Sequence, residues 1–256
     1  MPELKPQLIL SLFPGIGLLD MAFEEVWPEA CVVRGPDVLW GGDIKRFRPP
    51  KDRFDGIIGG PPCQAFSDLV HLVRQRYGES AVAENLIPEF ERVIAEARPA
   101  WFLMENVPNA PLPIVRGYAV ADLILNNRWV GGEQERTRRF SFGALGDRAV
   151  DIRRWLDVEL FEPVAWAPAA IASRGQAYIK MGSAGVLKKN GHTRVSSSTY
   201  LADTIRLQGL PHDFLSRAPF TSEGKQKVVG NGVPLPLGRA VAKAVRAALE
   251  AISCQN

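Results

Sequence analysis

The sequence predicts an α/β fold built on a mostly parallel, doubly wound sheet, and three observations carry that expectation. Short apolar runs alternate with segments of helical periodicity in the order β-α-β-β-α-β through the N-terminal half. The runs are continuously apolar, the pattern of strands covered on both faces by helices. Three of them end in glycine-, proline- or amide-rich motifs, which places those motifs at strand carboxyl ends, where ligands sit in such sheets.

The first strand is "LILSLF", Leu8 to Phe13, closed by "PGIG" and followed by a helix with Leu18, Leu19, Ala22 and Phe23 on its apolar side. Cys31 to Val33 and Gly56 to Ile58 are the next two strands, the latter ending at the prolines of "GGPPC". From Leu86 a second helix shows apolar residues at Ile87, Phe90, Val93, Ile94 and Ala97 until Pro99 stops it, and "WFLMEN" is the strand after it. Residues 111–126, "PLPIVRGYAVADLILN", read as a helix begun by proline, and "RFSFGAL", Arg139 to Leu145, as a strand. Regular signals fade from 147 to about 200. The closing "GNGVPLPLGRAVAKAVRAALEAI" opens on turn residues and becomes a helix with Leu237, Val241, Val245, Ala248, Leu249 and Ile252 as its buried stripe.

Composition narrows the function classes. The chain has 256 residues, 46% of them hydrophobic, enough for a sizeable core. Its 31 basic and 28 acidic residues leave +3, so any nucleic-acid-facing surface must be local. One such surface is available: Arg174, Lys180, Lys188, Lys189 and Arg194 fall between Glu162 and Asp203 with no acidic residue among them. On charge alone this segment is equally well a solvated loop. Three widely spaced cysteines, Cys31, Cys63 and Cys254, and three histidines argue against a disulfide framework or a structural metal site, and for a reducing compartment. The start "MPELKPQLILSLF" is too short an apolar run to span a bilayer and lacks signal-peptide features, so a cytosolic protein without a membrane contact is expected.

The chemistry-bearing residues cluster in the loops. "FPGIG" alone is weak, since a tight β-α turn needs glycine with or without a cofactor. Cys63 is stronger: it follows Pro61 and Pro62 at a strand end, aimed into the expected cleft. Glu105 and Asn106 follow directly on an apolar strand, where a carboxylate loses water and can serve as an acid. A thiol and an acid at neighbouring strand ends suggest nucleophilic catalysis with acid assistance, and the lack of a histidine in these motifs disfavours a triad hydrolase. Gln134, Arg136 and Arg138 stand at alternate positions before a strand, so both guanidiniums are expected to share a face and address one anion or carbonyl oxygen. Arginines in such a place are otherwise ordinary surface ion pairs.

In this order the motifs resemble those of the DNA cytosine-5 methyltransferases. "SLFPGIG" is similar to the family's first cofactor motif, "GGPPCQAFS" to its nucleophile motif, "MENV" to its acid motif and "QERTR" to its QxRxR motif; "IRLQGLP" and "VVGNGVP" are similar to its two C-terminal motifs. Together they reach from residue 11 to residue 234. The resemblance implies a Rossmann-like, S-adenosylmethionine-dependent methyltransferase fold with a catalytic and cofactor-binding domain over 1–146, a small target-recognition region over 147–200, and a segment 201–256 whose helix returns to the catalytic domain. It implies catalysis by Cys63, Glu105 and Arg138, with Arg136 bracing the catalytic loop, and substrate contacts from Gln64, Ser67, Asn106 and Gln134; the basic run adds Arg174 and Lys188 on the DNA side. S-adenosylmethionine would be held by Phe13, Gly15, Ile16, Gly17, Asp43, Ile44, Pro62, Asn231 and Val233, with Asp37 as the candidate for its ribose. It further implies double-stranded DNA as partner, a monomer, and a place in a bacterial cytoplasm within a restriction-modification or phage system.

Leu18 stands where the family often has another glycine, and Glu133 where a proline usually precedes the QxRxR glutamine. The tRNA-modifying branch is disfavoured by the lack of its Cys-Phe-Thr tripeptide. A catalytically silent nucleic-acid binder is disfavoured by the intact Cys63, Glu105 and Arg138, and a nucleotide-dependent dehydrogenase has only the glycine turn in its favour.

Overall fold

The computed structural model describes residues 6–62, 66, 75, 84–158, 178–180, 192–194 and 197–253. A six-stranded sheet occupies its centre: β1 (Gln7–Leu12), β2 (Ala30–Arg34), β3 (Gly56–Gly59), β4 (Trp101–Asn106), β5 (Tyr118–Asn126) and β6 (Thr137–Leu145), in the spatial order β2-β1-β3-β4-β6-β5. β1 pairs in parallel with β2 and β3, and β3 in parallel with β4, whereas β6 is antiparallel to both β4 and β5. Every strand but β6 therefore runs the same way. Two three-residue strands, β7 (Tyr178–Lys180) and β8 (His192–Arg194), pair antiparallel apart from this sheet.

The helices are α1 (Leu18–Val26), α2 (Ile87–Ala97), α3 (Ser197–Leu207), α4 (Ser222–Asn231) and α5 (Leu235–Ser253). Because successive strand residues point to opposite faces, each central strand feeds two cores. Ile9, Ile58, Trp101 and Leu103 pack against Leu19 and Phe23 of α1 and Val241 and Val245 of α5. Leu10, Leu12, Ile57, Phe102 and Met104 turn the other way, onto Ile87, Phe90 and Ile94 of α2. This explains the continuously apolar runs. Trp101 is the hub of the first core, with ring centroids 6.1–6.4 Å from Phe23, Trp27 and Phe142. Each such pair adds about 0.5–1.5 kcal/mol beyond the area it buries. α2 ends as expected: Arg98 adopts a left-handed cap at φ 54 and Pro99 forbids continuation.

Residues 111–126 are not a helix. Residues 111–117 form an irregular connection, and the rest is β5, paired over its whole length with β6. Leu123 and Leu125 are buried while Ile124 between them is 44% exposed, the period of a strand at a sheet edge. Alanine and leucine favour a helix intrinsically, but nine paired residues along β6 decide the matter. Among the described residues, no helix is long and apolar enough to cross a membrane, and no group of three or more His, Cys, Asp or Glu could hold a metal.

Candidate active site

At the carboxyl end of β1 the chain turns through three left-handed residues, Phe13 (φ 55), Gly15 (φ 57) and Gly17 (φ 81). A phenylalanine in that region is strained by about 1–2 kcal/mol, and such strain persists where the surroundings hold it. Here they do. Gly17 donates to the Pro14 carbonyl at 2.7 Å and caps α1. Asp37, in the turn after β2, accepts from the Gly15 N–H at 2.8 Å with Oδ2 and from the Leu39 N–H at 2.7 Å with Oδ1, while Trp40 Nε1 donates to the Gly15 carbonyl at 2.8 Å. Both backbone groups of Gly15 are thus held by residues 37–40. The carboxylate expected at the ribose also ties this turn together, with one hydrogen bond on each oxygen.

A second acid lies beneath the turn. Asp20 of α1 is fully buried; its Oδ1 accepts from Ser11 Oγ at 2.5 Å and its Oδ2 from Arg34 Nε at 3.1 Å. Burial pushes its carboxyl above the usual range, opposed by the Ser11 and Arg34 bonds. Arg34, so held, lies over Gly17, where a Cβ would sit 2.7 Å from its Nη2 and displace the guanidinium; the φ of 81 is what requires glycine at residue 17.

At the carboxyl ends of β3 and β4 lie the turn Gly60–Pro62 and the pair Glu105–Asn106. Glu105 is 9% exposed, and its Oε1 meets Arg138 Nε at 2.8 Å; Arg138 Nη1 also donates to the Thr137 carbonyl at 2.8 Å. The antiparallel register of β4 and β6 makes this meeting, since Glu105 stands opposite Phe140, two residues past Arg138. A Cβ on Gly60 would lie 2.9 Å from Glu105 Oε2, so a glycine is what lets the turn approach the carboxylate. A carboxyl and a guanidinium side by side at a strand end form a donor and acceptor set suited to the polar edge of a flat heterocycle.

Three expectations need correction. Asn106 and Gln134, expected among substrate contacts, are buried and turned inward: Asn106 Nδ2 donates to the Pro61 carbonyl at 3.1 Å, and Gln134 Nε2 to the Leu207 carbonyl at 2.7 Å and to Gln208 Oε1 at 2.8 Å. Both hold protein backbone. Arg136 and Arg138 do not converge on one anion, because residue 136 precedes β6 and its guanidinium departs from that of Arg138. Arg136 Nη2 donates to the carbonyls of Gly230 at 2.8 Å and Gly232 at 3.1 Å. Its described contacts brace the "VVGNGVP" turn.

That turn completes the third wall. Asn231 ends α4 exposed, and Val233 is buried. Gly232 passes so close to Leu18 that a Cβ would lie 2.5 Å from its Cδ1, so the leucine found where the family often has glycine fills space beneath this turn. Glu133 forms an ion pair with Arg206. Ile44 is buried against the α2 face, with its carbonyl accepting from Arg92 Nη2 at 2.8 Å, and Asp43 is exposed and accepts from the Lys45 N–H at 3.0 Å. Ile16 and Pro62 are half-buried at their turns. Cys63, Gln64, Ser67, Arg174 and Lys188 lie outside the described residues.

Asp20, Trp40 and Gln208 were not singled out by sequence reasoning. Polar Asp20 inside the apolar helical run of α1 and Gln208 within "IRLQGLP" were the available signal, and Trp40 offered none beyond being a tryptophan in a turn.

The fold is that of a methyltransferase. The chain superposes on the Entamoeba histolytica methyltransferase EhMeth with a TM-score of 0.62 at 14% identity, over 96% of this chain and 99% of that one. Residues 41–112 match the family described as C-5 cytosine-specific DNA methylase. The chain is 30% identical over 199 residues to the type II methyltransferase M.FnuDI of Fusobacterium nucleatum, covering 67% of this chain and 53% of that protein. It is 30% identical over 167 residues to M.NgoPII of Neisseria gonorrhoeae, covering 54% and 48%. The chain belongs to the C-5 cytosine-specific DNA methylase family, and it spans about half the length of these curated relatives.

Proposed function

We propose that this chain transfers a methyl group from S-adenosylmethionine to C5 of a cytosine extruded from double-stranded DNA. The observation that carries the reading is the juxtaposition of Glu105 and Arg138 at 2.8 Å, beside the Gly60–Pro62 turn that leads directly into Cys63. The cytosine has to leave the stack because C5 and C6 within a duplex are not accessible from both faces.

The residues divide the work. The Cys63 thiolate forms a bond to C6, and the C5–C6 π electrons move onto C5. Glu105 holds a proton at N3 and accepts from the exocyclic amine, while Arg138 donates to O2, so the ring can take up the negative charge. S-adenosylmethionine, when bound, supplies the methyl group that C5 takes up. Loss of the C5 proton to a base then restores the C5–C6 double bond and expels Cys63 as thiolate. Cysteine here needs aim more than a partner base, and the Pro61–Pro62 turn, pinned by Asn106, supports that aim.

The glycine turn suits the cofactor. Among the described residues other than its chain neighbours, no heavy atom lies within 4 Å of the place a Cβ would take on Gly15, which leaves room for a ligand beside the backbone there. Phe13, Gly15, Ile16, Gly17, Asp37, Asp43, Ile44, Pro62, Asn231 and Val233 are the residues assigned to it, with Asp37 as the candidate for its ribose. Gln64, Ser67 and the segment 147–200, with Arg174 and Lys188, are assigned to DNA. The reading goes with a monomer in a bacterial cytoplasm, in a restriction-modification or phage setting.

The test is to incubate the protein with unmodified DNA and S-adenosylmethionine, map modified positions by sequencing and identify the nucleoside by mass spectrometry. 5-Methylcytosine at a recurring sequence in DNA is the expected product. Its appearance only in an RNA control, or in neither, overturns the assignment.

A further inference from the structure

Three segments distant in sequence meet in one buried polar knot between the two halves of the site. Gln208, at the end of α3, is 0% exposed. Its Nε2 donates to the carbonyls of Val229 at 2.6 Å and Gly232 at 3.0 Å, and its Oε1 accepts from Gln134 Nε2 at 2.8 Å. Gln134 Nε2 gives its other hydrogen to the Leu207 carbonyl at 2.7 Å. A primary amide has two N–H donors, and all four in this pair are used, so the relay has a single orientation, from Gln134 through Gln208 to the end of α4. The last carbonyls of a helix lack helical partners; Gln208 and Arg136 reach those of Val229 and Gly230 and that of Gly232 just beyond the helix, and Val229 also accepts from the Gly232 N–H at 3.1 Å. The backbone N–H of Leu235 closes the knot on the Gln208 carbonyl at 2.9 Å.

We infer that Gln208 is a positioning residue that ties the Asn231–Val233 turn to the strand carrying Arg138, so that cofactor seating depends on the amide relay through Gln134. Arg136 grips the turn directly and Gln134 reaches it through Gln208, and residue 138 meets Glu105 from the same stretch of chain. This rests on the methyltransferase reading above.

The experiment uses the full chain with Gln208→Leu, which removes the relay at similar volume, and Gln208→Glu, which keeps the acceptor and loses the donors. Titration calorimetry with S-adenosylhomocysteine reads the seating. Gln208→Leu should raise Kd about ten-fold, the effect of leaving one buried Gln134 N–H without its acceptor and taking one of two hydrogen bonds from each of the Val229 and Gly232 carbonyls. At saturating S-adenosylmethionine, kcat should stay within about three-fold of the parent. Gln134→Leu should weaken binding as well, and the double variant should be no weaker than the worse single, as expected of one connected unit. In Gln208→Glu, affinity should recover as pH falls from about 8 toward 5, because a protonated carboxyl regains one donor. A purely structural role would not produce that recovery. If Gln208→Leu fails to fold in a urea titration, the Gln208→Glu pH series decides. A folded Gln208→Leu with Kd within about two-fold of the parent, additive singles, or a flat Gln208→Glu profile overturns the inference. A parent protein that binds no S-adenosylhomocysteine refutes the methyltransferase reading instead, and amide exchange over Gly230–Val233 then decides on the knot. Faster exchange in Gln208→Leu supports it, and unchanged exchange refutes it.

Discussion

Removing one partner of the Glu105–Arg138 pair should destabilise the protein more than removing both. In Arg138→Met the Glu105 carboxylate, 9% exposed, loses its 2.8 Å partner while keeping most of its desolvation. A broken buried pair costs about 3–5 kcal/mol, and the side chains here retain 15% and 12% exposure, which places the cost near the lower end, about 3 kcal/mol. For a chain of this size that is a fall in Tm of roughly 6–12 °C. Glu105→Leu should cost somewhat less, because Arg138 keeps the Thr137 carbonyl. The double variant Glu105→Leu/Arg138→Met relieves the desolvation of both groups and should lie within about 1 kcal/mol of the parent. Urea unfolding of the four proteins at one pH measures this cycle. A double variant as unstable as the two singles summed would show that the groups are not an energetic unit. All three variants should lose methyl transfer whatever their stability, because each removes a proposed base contact.

Cys63→Ser should abolish methyl transfer while leaving S-adenosylhomocysteine affinity within about two-fold of the parent, since serine is a far weaker nucleophile at neutral pH; persistent 5-methylcytosine formation sinks the nucleophile assignment. The raised Asp20 carboxyl gives a signed pH dependence. The folded protein holds that proton above the ordinary 3.8, so the contribution is full below pH 3.8 and is lost as pH rises through the folded value. Relative to Asp20→Asn, the parent should therefore lose stability through that window in urea titrations, and a gain would contradict the burial account. Neutralising Arg174 and Lys188 together should lower the slope of log DNA affinity against log salt by about 0.9 for each lost phosphate contact. An unchanged slope would remove both from the DNA side.

How far the fold could be read in advance depended on whether local pattern or long-range pairing decided each element. The strands β1, β3 and β4 and the helix α2 carry enough apolar residues at a clear period to announce themselves. Residues 118–126 do not: their alanines and leucines suit either state, and β6, a strand beginning eleven residues past Asn126, makes the choice. The site shows the same division. Cys63, Glu105 and Arg138 stand out because each is a reactive or charged group in a constrained motif at a strand end. Alternate spacing suggested that Arg136 would join Arg138, but residue 136 lies before the extended strand, so the shared-face rule does not reach it. Gln134 and Asn106 carry the chemistry of substrate-binding amides and are used as internal ties.

By itself the sequence determined the layering of the molecule and the identity of the reactive groups, because hydrophobic periodicity and residue chemistry are local properties of the chain. Only the tertiary structure decided the partners: Glu105 with Arg138, Asp37 with Gly15, Asp20 with Ser11 and Arg34, and Gln134 with Gln208. A buried donor or acceptor must be satisfied by whatever the packed fold brings within about 3 Å, and that neighbour is set by strand order and register, which no window along the chain contains.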